Sequence, residues 1–453
     1  MSSPSPAAQP APAQPLTAKA VFNQSWPIML ANAAAPVVGL VDTLVIGRFV
    51  GTQALAGIGL GAVIYGIVYW GFGFLRMSTA GLAAQDDGAG NVAGVQGHIL
   101  RAVPLGLVIG LAVFALQTVL LPLAFLVFTA GEALEASAST YIRARLWGLP
   151  ATLGTIALMG WFVGISRAGL ALKLQIVLNL VNIVLSPLFV IGLNAGLYGV
   201  GIASAVAEWA GFAVGLWLMR REFARQGGLR SGVAARANLL DGSQLRRLGV
   251  ANTNIFIRTL SLTLGFNFFG NAAASEGELF MAANHIHMQF ITMGALVLDA
   301  FAHTAEAVTG AAYGAKDSTR FDRAVRLTTR FSALFAIGFG AAILLLGPVL
   351  VDLLSTDPAV RATARAYMPY AALAPVIGFA AYQMDGIFIG TTRTAEMRNA
   401  GLAAVALYIG AHIALYPVLG ATGIWVAFLF YYAVRALTLG AYYPRITRHI
   451  GRA

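Results

Sequence analysis

Acids and amides set inside apolar sequence are the residues best placed to do chemistry in this 453-residue chain. Asp42 lies in GLVDTLVIG, after a run of apolar and small residues from Pro27 onward that only Asn32 interrupts. An ionisable group near a bilayer centre costs about 2.5–3.5 kcal/mol on insertion scales, so its retention points to a task. The task expected of Asp42 is to bind a cation or a proton in a cleft. The competing reading is an idle, hydrated carboxylate near an outer helix end. Farther along, NLVNIVLSP sets Asn179, Asn182 and Ser186 at i, i+3 and i+7, one helix face. Amide and hydroxyl oxygens suit a small cation or a polar substrate; they serve equally as hydrogen bonds between helices. ALVLDAFAHTAEAVTG repeats the pattern with Asp299, His303 and Glu306 at i, i+4 and i+7. Two readings stay open there. One is a proton relay through an imidazole that titrates near neutral pH when unperturbed. The other is a structural network with Arg258 of the preceding span as counter-ion. Asp385 in YQMDGIFIG and Glu208 in SAVAEW are further buried-acid candidates, and Arg76 in GFLRM calls for an acidic or carbonyl partner in its own half.

What is missing narrows the chemistry. GAAYGAK (310–316) has the wrong spacing for a phosphate-binding loop and no following Ser or Thr, so ATP is not expected to drive the chain directly. His285 and His287 are two apart and point to different helix faces, so no metal site is expected. No G-x-S-x-G elbow occurs, and Cys is absent, which removes disulfides, thiolate ligands and thiol nucleophiles. No cofactor is implied, and an enzyme is not expected.

The elements that must hold these residues follow from composition. Hydrophobic residues make up 58% and charged residues 10% of the chain, with mean hydropathy +0.76. Soluble domains carry about 25% charged residues, so an ordinary cytosolic enzyme, a disordered protein and a nucleic-acid binder are excluded. A transmembrane helix needs about 20 mostly apolar residues. Twelve such stretches are expected, at 24–47, 54–82, 99–128, 141–165, 170–193, 198–220, 248–272, 280–312, 327–350, 367–391, 397–418 and 421–443. Residues 1–18 read as a flexible tail rather than a signal peptide, because they lack a basic start and lead into a full-length span.

The formal charge of +11 resolves along this map. With both termini in the cytoplasm, 21 of the 29 Lys and Arg fall in inner segments and only Arg48, Arg143, Arg145, Arg361 and Arg365 in outer loops. That asymmetry obeys the positive-inside rule. Arg outnumbers Lys 26 to 3, the usage of a GC-rich bacterial source, and the bacterial inner membrane is the expected location.

The two halves also echo each other at an offset of 226. Gly39 meets Gly265, Gly88 meets Gly314, Pro122 meets Pro348 and Tyr141 meets Tyr367, and GWFVGISR (160–167) answers GIFIGTTR (386–393). Six spans per half give two copies of the same orientation. The expected fold is therefore all-α and integral to the membrane, with twelve transmembrane helices in two six-helix lobes around a central cleft. The expected divisions are a cytoplasmic tail (1–18), an N-lobe (19–219), a basic linker (220–247), a C-lobe (248–444) and a C-terminal tail (445–453). Repeated bundles of this kind build transporters that open alternately to the two sides.

PVVGLVDTLVIGRFVG, FGFLRMSTAGLAAQDDGAG, NIFIRTLSL, LDAFAHTAEAVTGAAYGAKD and DGIFIGTTRTAEMRNAG together resemble the multidrug and toxic compound extrusion (MATE) family, and within it the DinF-like branch. The resemblance spans roughly residues 25–445. It implies cation-coupled antiport, in which H⁺ or Na⁺ enters as an organic, often cationic, compound leaves. It implies that Asp42 is the first-helix carboxylate of the cation site and that Asn182 is its fifth-helix partner. Ser186 stands where a second Asp is expected and Ser204 where a Thr is expected. One carboxylate with hydroxyls and an amide holds a monovalent ion weakly but still accepts a proton, so H⁺ is expected over Na⁺ as the coupling ion. Asp299, Glu306 and Asp385 match the branch; His303 replaces an apolar or aromatic residue. Trp26, Met29, Tyr65, Tyr69, Trp161 and Asn179 are expected to line the substrate cavity. The partners expected are drug-like small molecules and the lipid bilayer, with no nucleic acid and a monomeric chain. The competing reading is a flippase for lipid-linked precursors or polysaccharides, whose cavity would be strongly basic. Three Arg against several acids within the spans argue for the efflux reading.

Overall fold

The computed structural model describes residues 16–128, 130–229 and 241–451. Among them the chain is helical, with no strand. The first half holds α1 (Ala18–Phe49), α2 (Thr52–Gly71), α3 (Phe74–Gly88), α4 (Val92–Ala115), α5 (Gln117–Val127), α6 (Glu132–Leu146), α7 (Leu149–Gly164), α8 (Ala168–Pro187) and α9 (Gly196–Arg225), with a π-helical turn at Leu188–Gly192. The second half holds α10 (Gly242–Ser275), α11 (Glu278–Gly314), α12 (Ser318–Leu354), α13 (Pro358–Gly390), α14 (Thr394–Leu419) and α15 (Ala421–Gly451).

Ten helices, with α2 and α3 counted together, are long and apolar enough to cross a membrane, and the pair α6 and α7, bent by 57°, makes an eleventh. The twelfth is α10, whose 34 residues mix apolar positions with Asn, Thr and Arg258. Each predicted span maps onto one of these twelve units, but 99–128 runs beyond α4 into α5, and 141–165, 170–193 and 367–391 end one residue past theirs. The helices overrun the predictions at their ends because polar, well-capped turns carry the helix past the apolar stretch. Asn91, Asp241, Asp317 and Asp357 each accept a backbone N–H at a helix start, the satisfaction that a helix N-terminus requires.

The repeat is a property of the backbone as well as of the sequence. Adding 226 to the bounds of the α2–α3 unit gives those of α11, and the same shift carries the α6–α7 unit onto α13. The helix breaks follow suit. Gly51 and Gly277, Gly90 and Lys316, Ser166 and Thr392, and Asn194 and Gly420 all have positive φ, and each pair is 226 apart. The copies differ in continuity. The break between α6 and α7 has Gly148 and Pro150, whereas α13 runs unbroken through Ala374, Pro375 and Val376. Both copies carry a proline, so the glycine tracks the break.

Paired glycines explain the GWFVGISR and GIFIGTTR echo. A Cβ on Gly160 or Gly164 would strike the backbone of Arg76 or Ala80, and one on Gly386 or Gly390 the backbone of Ala302 or Glu306. Small residues four apart thus let α7 lie directly on α3, and α13 on α11. The same device joins the lobes. Gly88 faces the Ala311 carbonyl, and its repeat partner Gly314 faces the Gln85 carbonyl. Gln85 Nε2 adds hydrogen bonds to the Gly390 carbonyl (2.9 Å) and Thr392 Oγ1 (3.0 Å). Higher up, Ser25 meets Thr304 (2.8 Å) and Asn32 donates to the Leu296 carbonyl (2.8 Å). Among the described residues, these lobe-to-lobe hydrogen bonds all lie between the Gly88 end and the Asn32 level. The lobes are therefore fastened along the half of their length that carries the basic loops.

Of the expected divisions, 1–15 lie outside the described residues, as do 230–240 of the linker and 452–453. Residues 220–225 continue α9, and 445–451 continue α15 as helix.

Candidate functional site

The N-lobe candidates meet where α1, α8 and α9 pack together. Asp42 is 4% exposed, and its Oδ1 accepts a 2.5 Å hydrogen bond from Ser186 Oγ. One turn back on α8, Asn182 donates to Ser204 Oγ of α9 (2.9 Å), while its own Oδ1 is buried with no hydrogen-bond partner. Asn179, another turn back, donates to the Ala34 carbonyl (2.9 Å) and accepts from Gln175 (2.8 Å), so it ties α8 to α1. The i, i+3, i+7 face predicted for α8 is thus real, and it looks at α1 and α9. Asp42, Asn182, Ser186 and Ser204 lie side by side.

Arg145 enlarges this group. The sequence assigns it to an outer loop, but α6 carries it to the bend before α7, where it turns into the lobe. Its guanidinium lies over the Tyr65 ring at 4.3 Å and donates to Tyr141 Oη, while Nε is buried without a hydrogen-bond partner. It stands within electrostatic range of Asp42, Tyr65 and Glu208. Tyr65 Oη bonds Thr152 Oγ1 (3.2 Å), and Glu208 is 8% exposed. The reason for the closeness is local. A Cβ on Gly148 would meet Ala205 Cα at 2.7 Å, and one on Gly201 the Tyr141 carbonyl at 2.7 Å. The two glycines bring the backbone of α9 against α6, which places Ser204 and Glu208 beside the Arg145 turn.

The remaining cavity candidates scatter. Tyr69 is 38% exposed and Trp26 is also exposed, whereas Met29 packs against the first lobe's core. Trp161 is fully buried in that core and donates to the Val95 carbonyl (2.8 Å), so in this conformation it is a packing residue.

The C-lobe candidates divide into two ion-pair groups. Asp385 on α13 accepts hydrogen bonds from Arg258 of α10 and from Arg435 of α15 (3.0 Å). Arg258 therefore bonds Asp385, and of the predicted Asp299, His303 and Glu306 network it stands within electrostatic range of Asp299. Glu306, fully buried, pairs instead with Arg76 at 3.2 Å. Arg76 belongs to α3, so its partner lies across the lobe boundary rather than in its own half. The sequence expectation fails here because a single face of α11 meets two different lobes. Asp299, two turns above Glu306, is within electrostatic range of Arg76, Arg258 and Arg435. His303 is partly buried and close to Arg76. Among the described residues no group of three His, Cys, Asp or Glu side chains is gathered to hold a metal ion.

One family model, MatE, matches the chain twice, at residues 27–188 and 254–418. The chain belongs to the MatE family. One match falls in each half of the chain. The chain is 33% identical to DNA damage-inducible protein F of Escherichia coli (strain K12) over 95% of its own length and 93% of that protein's. It is 25% identical to a probable multidrug resistance protein NorM of Pseudomonas syringae pv. tomato, over 72% of its length and 69% of that protein's. A solved structure described as an outward-facing conformation of a multidrug resistance MATE family transporter of the MOP superfamily superposes with TM-score 0.81. Identity to it is 20%, covering 96% of this chain and 97% of that one. A MOP superfamily transporter from Pyrococcus furiosus Vc1 (DSM3638) gives 0.83 at 18% identity, again over 96% and 97%. Members of the family are membrane transporters, which agrees with the two-lobed, multi-spanning architecture.

The repeat shows what separates the lobes of this MatE protein. Positions 226 beyond Asp42, Asn182 and Ser186 are Phe268, Tyr408 and His412. There Phe268 packs edge-on to Tyr408 at 5.4 Å and to His412 at 4.9 Å between centroids. One backbone geometry holds a carboxylate and its donors in the first lobe and an aromatic cluster in the second. The signal that would have found Arg145 was available: it follows Tyr141 by four residues, within reach on the same helix face.

Proposed function

We propose that this transporter is an antiporter that exports amphipathic, often cationic, organic compounds in exchange for protons, with Asp42 as the proton-carrying group. The observation that carries the reading is the Asp42–Ser186 hydrogen bond at 2.5 Å inside the first lobe. A carboxylate held by a hydroxyl, with no second carboxylate on α8, binds a proton by forming a covalent O–H bond. Na⁺ would need several oxygen ligands and matching charge. With Asp42 ionised the lobe attracts an organic cation; with Asp42 protonated that attraction goes. Coupling follows when proton and drug prefer different states of the two lobes. The lobes are fastened at the basic end, and that end is read as cytoplasmic. The state described is then closed to the cytoplasm and suited to releasing drug outside and loading a proton. Both termini would lie in the cytoplasm of a bacterial cell.

One observation favours Na⁺ instead: the unbonded Asn182 Oδ1 is a hard oxygen in the same group. Proteoliposomes holding the purified chain separate the two. Ethidium movement driven by an imposed pH gradient without Na⁺, and lost in Asp42→Asn with normal membrane insertion, is the expected result. Movement driven by a Na⁺ gradient at fixed pH, and indifferent to a pH gradient, overturns proton coupling.

A further inference from the structure

We propose that Glu208 and Arg145 complete the coupling site with Asp42, as two carboxylates around one guanidinium whose single net negative charge is cancelled by either one proton or one monovalent organic cation. The proposal rests on the functional reading above and adds its charge balance. Asp42 and Glu208 approach the lobe interior from different helices, α1 and α9, and both are buried. Arg145, from α6, stands within electrostatic range of each. Its direct contacts are neutral, the Tyr65 face at 4.3 Å and Tyr141 Oη, and the backbone packing of Gly148 on Ala205 sets the Glu208 helix beside its turn. The groups facing Glu208 from the packed elements are Arg145 of α6, Thr152 of α7, and Tyr65 and Tyr69 of α2.

Burial makes the count decisive. A charge with no counter-charge is costly in an apolar interior, so such a cluster favours the state nearest neutrality. Asp42 and Glu208 ionised against Arg145 leave one negative charge. One proton on either carboxylate cancels it, and so does a bound monovalent cation. The two ligands then compete for one vacancy of charge, and one proton enters for each monovalent cation that leaves. Neither Arg145 nor Glu208 is repeated in the second lobe, where the equivalent positions are Ala371 and Val434. The device belongs to the lobe that holds Asp42. It also supplies in space the second acid that Ser186 does not provide along α8.

The test measures protons released when tetraphenylphosphonium binds the purified full-length chain in weak buffer, as a function of pH. The native protein is expected to release about one proton per probe bound. In Glu208→Gln, Arg145 neutralises Asp42 alone. The pH midpoint of release should drop by about one unit or more, and probe affinity at neutral pH should fall about tenfold, the effect of an opposite charge close by. In Arg145→Gln, two carboxylates share the site without a cation. The midpoint should rise and the count move toward two. The double variant again holds one negative charge and should return the midpoint toward native. A merely structural role moves every variant toward weaker binding and cannot produce opposite shifts. Glu208→Asp keeps the charge and should keep the native count, which guards against misfolding. A native midpoint and count in Glu208→Gln, with no release from Asp42→Asn, overturns this proposal and leaves the functional reading intact. Native release and transport in Asp42→Asn overturns the functional reading itself.

Discussion

At the scale of single residues, the coupling chemistry proposed above turns on which oxygen faces Asp42. Ser186 donates to it at 2.5 Å, and a charge-assisted hydrogen bond of this kind is worth about 1.5–3 kcal/mol. Ser186→Ala should therefore leave the fold intact and make Asp42 easier to protonate, because the donor stabilises the ionised form. The midpoint of pH-dependent transport is expected to move up by about one unit, read from initial rates in proteoliposomes. Ser186→Asp should do something different. It restores a second carboxylate beside the unbonded Asn182 Oδ1, an oxygen-rich set of higher negative charge. On the proposed proton-coupled reading the native protein binds probe without Na⁺, and Ser186→Asp is expected to make that binding Na⁺-dependent; the absence of any Na⁺ effect in the variant would refute this account of ion choice.

At the scale of helices, small residues set the distances. The backbone of α3 touches α7 and α11 through Gly160, Gly164, Gly88 and Gly314. A side chain at Gly88 has no room, since its Cβ would fall on the Ala311 carbonyl, which is backbone and cannot swing aside. Gly88→Leu should separate the lobes at the basic end without unfolding either one, because each lobe has its own core. Spin labels on α3 and α11 should report a longer distance between the two helices. Gly160→Leu acts within one lobe, so it should lower the melting temperature and the yield of folded protein rather than shift the balance of states. Overpacking of this sort costs about 1–3 kcal/mol or more.

At the scale of the molecule, one buried ion pair spans the boundary. Glu306 is fully buried and Arg76 is its partner at 3.2 Å. Removing one member of a buried pair costs about 3–5 kcal/mol, and here the cost falls on the state in which the lobes are joined. Arg76→Ala should shift the population toward states parted at the basic end, seen as faster labelling of a reporter Cys near Gln85 from the cytoplasmic side. The native chain has no Cys, so single introduced thiols report without background. The same property tests orientation. Ala315→Cys, in the loop between α11 and α12, should react with an impermeant maleimide only from the cytoplasm, and Glu132→Cys, at the start of α6, only from outside. The reverse pattern would invert the reading of the basic loops.

Much was legible in the sequence because the bilayer enforces it. A span must be apolar along some 20 residues and satisfy its backbone internally, so the all-helical fold and most of its spans follow from hydropathy, while α10 and the bent α6–α7 pair are less plainly apolar. The repeat was visible because both copies keep the glycines that close packing needs. Asp42 stood out because a charge in an apolar run is costly enough to be conspicuous. Pairing was not legible. Whether Arg258 bonds Asp385 or an acid of the Asp299–Glu306 face, whether Arg76 looks to its own lobe, and whether Arg145 hangs in a loop or turns inward depend on how helices rotate and bend against one another. Electrostatic energy falls with distance through space, not along the chain, and the ion-pair partners Arg258–Asp385 and Arg76–Glu306 lie 127 and 230 residues apart. The sequence by itself determined that this is a two-lobed membrane protein with an acid at its first helix. Only the tertiary structure decided which charges meet, because that choice belongs to the packing of the lobes.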